Sequence, residues 1–195
     1  MEQLEKDLRG KMVKVILICT ISCLILDMGF MVGLKLTSGL FYPVPIYFLR
    51  RILCPFAVNV VAYIFAEIFN RSQKISGTTK NMACCIACCT LCGSMAIFHS
   101  SYTPLWVVPA MILLVSSVFH DERIQRIILI YSCVLVVLAM AYVSSERPTE
   151  VGRYIEMCVA VEALNFLLYI VANTVQKYQT RVQDLLKETT RNEMK

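Results

Sequence analysis

Five cysteines fall within nine residues, Cys84, Cys85, Cys88, Cys89 and Cys92, and form the densest group of reactive side chain types in the chain. Their C-x-x-C spacings, and i,i+4 pairs such as Cys84 with Cys88, place thiols on a shared helical face, an arrangement able to hold a soft metal. The segment contains no His, Asp or Glu to complete such a site. In lipid a free cysteine acts as a small apolar residue that lets helices approach. The cluster is therefore read as packing, with no metal and no cofactor. The chain has ten cysteines, mostly in apolar stretches and none in an external loop, which speaks against a disulfide framework.

The other candidates are polar side chains set inside apolar stretches, where each is costly unless partnered. Asp27 lies in the outer half of the first apolar stretch, and Arg50 and Arg51 follow in the next loop as possible partners. Asn59, Tyr63, Glu67 and Asn70 recur at helical spacing and should face protein, with Glu67 close enough to water to snorkel. His99, Tyr102 and Trp106 occupy a brief external turn, as an interfacial belt or as the floor of a binding site. Cys158, Glu162, Asn165 and Tyr169 form a second stripe, either a pair satisfied within the bundle or part of a site. The expectation drawn from these positions is an outward-opening pocket for a small-molecule ligand. It would be lined by Glu162 and Asn165 with Asp27, Arg50, Arg51, His99 and Trp106. No catalytic constellation accompanies them: there is no phosphate-cradling glycine loop, no H-E-x-x-H and no Ser/His/Asp arrangement. His120-Asp121-Glu122-Arg123 reads as a solvated turn, and the chain is not read as an enzyme.

Apolar residues make up 57% of the 195 and charged ones 17%, in blocks near the length of a bilayer span. Six spans are expected, at about Val13 to Leu34, Ile46 to Phe69, Met82 to Phe98, Leu105 to Phe119, Ile124 to Val143 and Ile155 to Val175. The fold class is an all-α polytopic bundle with the lipid bilayer as its partner, since no strand-like alternation recurs. Residues 1–12 form a cytoplasmic amphipathic segment, with a short helix from Leu4 to Arg9 ended by Gly10. Residues 13–175 form the bundle and 176–195 a cytoplasmic extension. Gly29-x-x-x-Gly33 in the first span lets another helix approach closely. With the N-terminus inside, fourteen Lys and Arg fall on the cytoplasmic side and five outside, so both termini are expected in the cytoplasm. The net charge of +5 then reflects topology and lipid contact, and nucleic-acid binding is excluded by the lack of an aromatic-interleaved basic patch.

One more pattern links the membrane to the water beyond it. Tyr154, Met157, Val161, Leu164, Leu168, Val171, Val175, Tyr178, Val182 and Leu185 fall on one line at heptad spacing, continuing unbroken into a stretch rich in charge. Leu164, Val171, Tyr178 and Leu185 take d positions and Leu168, Val175 and Val182 take a positions, which favours a parallel pair and so a homodimer through the sixth helix. Glu188 would face Glu193 across that pair, so the coiled coil is expected to be weak. The alternative is an amphipathic helix lying along the headgroups, against which stands the absence of Trp or Phe beyond Phe166.

The turn Phe98-His99-Ser100-Ser101-Tyr102-Thr103-Pro104-Leu105-Trp106, then Pro109 and Ser116-Ser117-Val118-Phe119-His120-Asp121-Glu122-Arg123, resemble the membrane sensor region of bacterial diguanylate cyclases. In that group a continuous helix leads into a GGDEF domain. The stretch Leu185-Leu186-Lys187-Glu188-Thr189-Thr190-Arg191-Asn192-Glu193-Met194-Lys195 resembles the linker before such a domain, or before a histidine-kinase dimerisation helix. The resemblance implies a signal-transduction module of the bacterial inner membrane that feeds a cytoplasmic output domain not contained in the chain. The alternative is a small substrate-binding membrane protein, such as the six-helix binding component of a vitamin transporter. That class gives no reason for a heptad carried past the membrane.

Overall fold

The computed structural model describes residues 2–37, 39, 42–99 and 102–193, and every regular element among them is helical. Ser100 and Ser101 of the external turn, and Met194 and Lys195, lie outside the described residues. Helix α1 runs from Glu2 to Thr37 without interruption. Gly10 therefore does not end a separate Leu4 to Arg9 helix. A mid-helix glycine costs only about 1 kcal/mol, and tertiary contacts on both sides of it, through Arg9 and Met12, hold the helix in place.

Helix α2 spans Val44–Arg71. Its first turn gives way to a π-helical stretch, Leu49–Leu53, before α-helix resumes at Cys54–Arg71. The cause lies in Pro55, which has no N–H to give the carbonyl of Arg51 and whose ring needs room in the preceding turn. Helix α3, Gly77–Phe98, is started by Ser76, whose hydroxyl accepts from the Thr79 N–H at 3.3 Å. Helix α4, Val108–Ser116, carries a 3-10 turn at each end, Thr103–Val107 and Ser117–Phe119. His120 then takes a left-handed conformation (φ 53°), and the Asp121 carboxylate caps α5, Glu122–Glu146, by accepting from the Arg123 N–H at 2.8 Å. A last 3-10 turn, Pro148–Glu150, leads into α6, Val151–Glu193, whose 43 residues make it about 65 Å long.

Packing centres on α3. It buries Ala83, Cys84, Cys85, Ala87, Cys89, Gly93, Ser94 and Ala96, all small, and α1, α2, α4 and α5 pack around it. The cysteines serve as packing surface: Cys84, Cys85 and Cys89 are fully buried in the main apolar cluster with Ile16, Leu113 and Ile128. A second cluster at the other end joins Ala96, Trp106, Val136, Val143, Tyr154 and Val161.

Side-chain contacts settle the directions. Arg9 meets Asn81 and Asp27 meets His99, so α1 and α3 run the same way. Arg51 meets Phe98 while Asn59 meets Ser94, so α2 runs opposite to α3. Tyr131 meets Thr90 and Tyr142 meets Phe98, so α5 runs with α3. Trp106 lies 6.2 Å from Tyr154 and His120 lies 3.5 Å from Gln183, so the α4 segment runs alongside α6 over most of the bundle.

The outer surface is apolar, with Ile18, Ile25 and Phe30 of α1, Ile130 of α5, and Phe166 and Ile170 of α6 all exposed. Five helices are long and apolar enough to cross a membrane, and Pro104–Phe119 is a shorter apolar helix between two of them. Gly29 and Gly33 lie on this outer surface, where an added Cβ would meet nothing within 4 Å, so the G-x-x-x-G pair brings no helix of this chain close. Gly93 is the glycine that close packing requires, since a Cβ there would stand 2.5 Å from Leu135 Cδ1. Gly93→Leu should destabilise the bundle by about 1–3 kcal/mol through overpacking, and Gly33→Leu should stay within about 0.5 kcal/mol of wild type. Unfolding in detergent measures both, and equal effects would remove Gly93 from the α3–α5 contact.

Candidate functional site

The side chains best placed to bind something gather at the end of the bundle where α2 begins and α3 and α5 end. The π-helical stretch sets the phase there. Arg51 turns inward and is 9% exposed, while Arg50 turns outward, its guanidinium carbon 5.7 Å from the centre of the Tyr42 ring. Arg51 Nη2 donates to Glu146 Oε2 at 2.7 Å, and Nη1 donates to the Phe98 carbonyl, one of the acceptors left over at the end of α3. The same guanidinium lies 6.0 Å from the centre of the Tyr142 ring. One buried cation thereby fastens α2 to α3 and to α5.

Beside it, His99 Nε2 stands 3.2 Å from Asp27 Oδ1, near enough to pair when the imidazole is protonated but not aligned as a hydrogen bond. Arg51 and His99 border a cavity of about 260 Å³ whose other lining residues are Leu34, Tyr42, Tyr47, Glu146 and Arg147. Glu146 Oε2 takes the Arg51 bond, its buried Oε1 has no aligned hydrogen bond, and the Tyr142 hydroxyl lies beside the same carboxylate. Two arginines, an imidazole, one carboxylate and two phenol rings suit a small ligand that carries an anionic group together with a donor.

The expected pocket is thus divided. Asp27, Arg51 and His99 come together, but the arginines do not partner Asp27, whose neighbour is His99. Trp106 is fully buried beside Tyr154 in the second apolar cluster. Asn59, 1% exposed, accepts from Ser94 Oγ at 2.5 Å and ties α2 to α3. Glu162 and Asn165 lie deeper: Asn165 accepts from Ser132 Oγ at 3.2 Å and donates to Glu162 Oε2 at 3.1 Å. Ser132 is fourteen residues from Glu146 along α5, or about 20 Å. That separation removes Glu162 and Asn165 from the Arg51 cavity and leaves them as a polar network joining α5 to α6.

Glu146, Arg147, Tyr42 and Tyr47 were not among the expected site residues. A usable signal was present, since Glu146 is the acidic residue that ends the fifth apolar stretch on the side of the arginine pair.

The Arg51–Glu146 pair, each side chain 11% exposed, can be tested by removing one charge and then both. Glu146→Ala leaves a buried cation without its carboxylate and should cost about 3–5 kcal/mol, while Arg51→Met with Glu146→Leu should recover most of that loss. Equal losses in the single and double variants, read by unfolding in detergent, would mean that the ion pair itself holds the three helices. Comparison with protein families, with curated proteins and with solved structures found no match to this chain.

Proposed function

We propose that the protein is a homodimeric six-helix sensor of the bacterial inner membrane. In this reading a small ligand enters the outward cavity, and α6 carries the response to a cytoplasmic output domain of the diguanylate cyclase (GGDEF) type. A histidine kinase is the second choice of output. The chain itself performs no catalysis in this account.

The observation that carries the proposal is the division of α6 into two faces. Tyr154, Cys158, Val161, Asn165, Ala172 and Gln176 form a buried line facing the molecule's own helices. Val171, Val175, Tyr178, Val182 and Leu185 form a second line at 4-3-4-3 spacing, 39 to 66% exposed. Apolar side chains that leave the bilayer without a partner favour a second copy of the same helix. Leu164 and Leu168, the first residues of the expected seam, are half-buried, Leu168 against the bundle's core cluster, and the line becomes exposed from Val171 onward.

Two further features support the reading. The short Thr103–Phe119 segment is lengthened by its 3-10 turns, which rise about 2 Å per residue, so that its 17 residues cover about 30 Å, the thickness of the hydrocarbon core. A sixth crossing returns the chain to the side on which it started and puts the polar half of α6 in the cytoplasm, as the Lys and Arg bias requires. The cavity also abuts the start of α6. Arg147 lines it, and the turn Pro148–Glu150 follows at once, with Glu150 accepting from Tyr154 Oη at 3.2 Å. A ligand drawn to Arg51 and Arg147 would pull on the turn that enters α6.

A photo-crosslinking residue placed singly along α6 tests the pairing with the native cysteines left in place. Positions Val171, Val175, Tyr178 and Val182 should give dimers in membranes, and Gln176 and Gln179 should not. Crosslinking without that period, or none at all, would reject the dimeric lever and favour a monomeric substrate-binding protein.

A further inference from the structure

At the opposite end of the bundle from the Arg51 cavity lies a cleft of about 930 Å³ between the start of α1 and the start of α3. Five cations line it, Lys6, Arg9, Lys11 and Lys14 from α1 and Lys80 from α3, against the single carboxylate of Asp7. Such a concentration of like charge is unfavourable unless something answers it.

Arg9 departs from an ordinary solvated surface. It is 6% exposed, and its Nη1 donates to Asn81 Oδ1 at 2.6 Å. Asn81 is itself buried and donates through Nδ2 to Glu5 Oε2 at 2.8 Å, which fixes the amide's orientation and with it that of the guanidinium. Arg9 Nε is buried and has no partner. A guanidinium held in place with a buried donor unused is a preorganised half of an anion site.

Gly10 supplies the space. A Cβ at this position would meet nothing within 4 Å, and the residue lies in the lining between Lys6 and Lys14, where any larger side chain would project into the cleft. The cleft also sits at a particular depth. Lys11 and Lys14 flank Met12 and Val13, buried apolar residues near the start of the apolar part of α1, which is where a bilayer would put its phospholipid phosphates.

We propose that this cleft binds a phosphomonoester. The dense, multiply charged oxygen group matches four mobile ammonium groups around one fixed guanidinium better than a singly charged carboxylate or phosphodiester does. A phosphorylated lipid headgroup and a soluble phosphate compound share this chemistry. The site does not depend on the sensor reading, because it involves neither the outer cavity nor α6.

The test uses the 195-residue chain. Retention of phosphatidic acid over phosphatidylglycerol in detergent is read by native mass spectrometry, and binding of glycerol 3-phosphate to the chain in phosphatidylcholine nanodiscs is read by calorimetry. Phosphatidic acid alone binding identifies a lipid source, and glycerol 3-phosphate binding identifies a soluble one; either supports the site. Lys14→Gln and Lys80→Gln should each weaken the bound probe about fivefold. Gly10→Leu keeps every charge and should weaken binding by an order of magnitude or more, while Lys35→Gln at the other end should change nothing. If neither probe binds, or if Gly10→Leu and Lys14→Gln bind as wild type does, the attraction is diffuse and the site does not exist. Lys14 is exposed on a helix surface, so its variant reports on binding even where Gly10→Leu fails to fold.

Discussion

Helices gain nothing from leaving lipid for one another, because the acyl chains are as apolar as leucine. Close van der Waals approach must therefore supply what the hydrophobic effect supplies in water, and α3 is built for that. Beyond Asn81 at its start, its buried positions are alanine, cysteine, serine and glycine, and its neighbours come near enough for Leu135 to occupy the space beside Gly93. Close approach also brings polar groups within reach, and the bonds of Asn59 with Ser94 and of Thr90 with Tyr131 hold α2 and α5 in register against this helix. The two ends of α3 then become fixed points. Asn81 at one end orients Arg9, and the Phe98 carbonyl at the other anchors Arg51.

The Arg51 cavity follows from that anchoring together with one proline. Pro55 forces the π-helical stretch, the stretch turns Arg51 inward, and Arg51 reaches both α3 and Glu146. Glu146 ends α5, and α6 begins five residues later at Val151. A charge network at the mouth of the bundle is thereby coupled through a short turn to the longest helix in the molecule. Farther along, the buried face of α6 changes character from Val161 and Ala172 to Gln176 and Gln179, whose Oε1 atoms are buried without partners, while Gln125 of α5 is fully buried with both amide atoms unpaired. Contacts of this kind are weaker than apolar packing and leave the helix easier to shift where it leaves the bundle.

Much of this was legible in the sequence because a bilayer leaves few choices. Each apolar stretch from Val13 to Val175 coincides with a helix, and the cysteine cluster forms packing surface, as a segment without His or carboxylate should. Depth and phase were harder to read. Asp27 was matched with the arginines by proximity in sequence, but the π-helical turn re-aimed them and left His99 as its neighbour. Glu162 and Asn165 share a face with groups that open outward, yet periodicity does not report distance along the axis, and they lie far from the mouth of the cavity. Gly10 was taken for a helix end on local propensity, a preference that the tertiary contacts of Arg9 outweigh. A heptad line does not say which protein it faces: Leu168 lies half-buried against the bundle's own core, while Val171 and the residues that follow it on the line are exposed.

The functional account depends above all on where α6 ends, and that depends on whether Thr103–Phe119 crosses the bilayer. Cysteine-independent reporters fused within the 72–76 turn and after Glu193, in intact cells, measure it directly. The account predicts that both report from the cytoplasm, with a third at Tyr102 reporting from outside. A reporter after Glu193 on the outer face would mean five crossings, leave the polar half of α6 outside the cell and contradict the sensor reading.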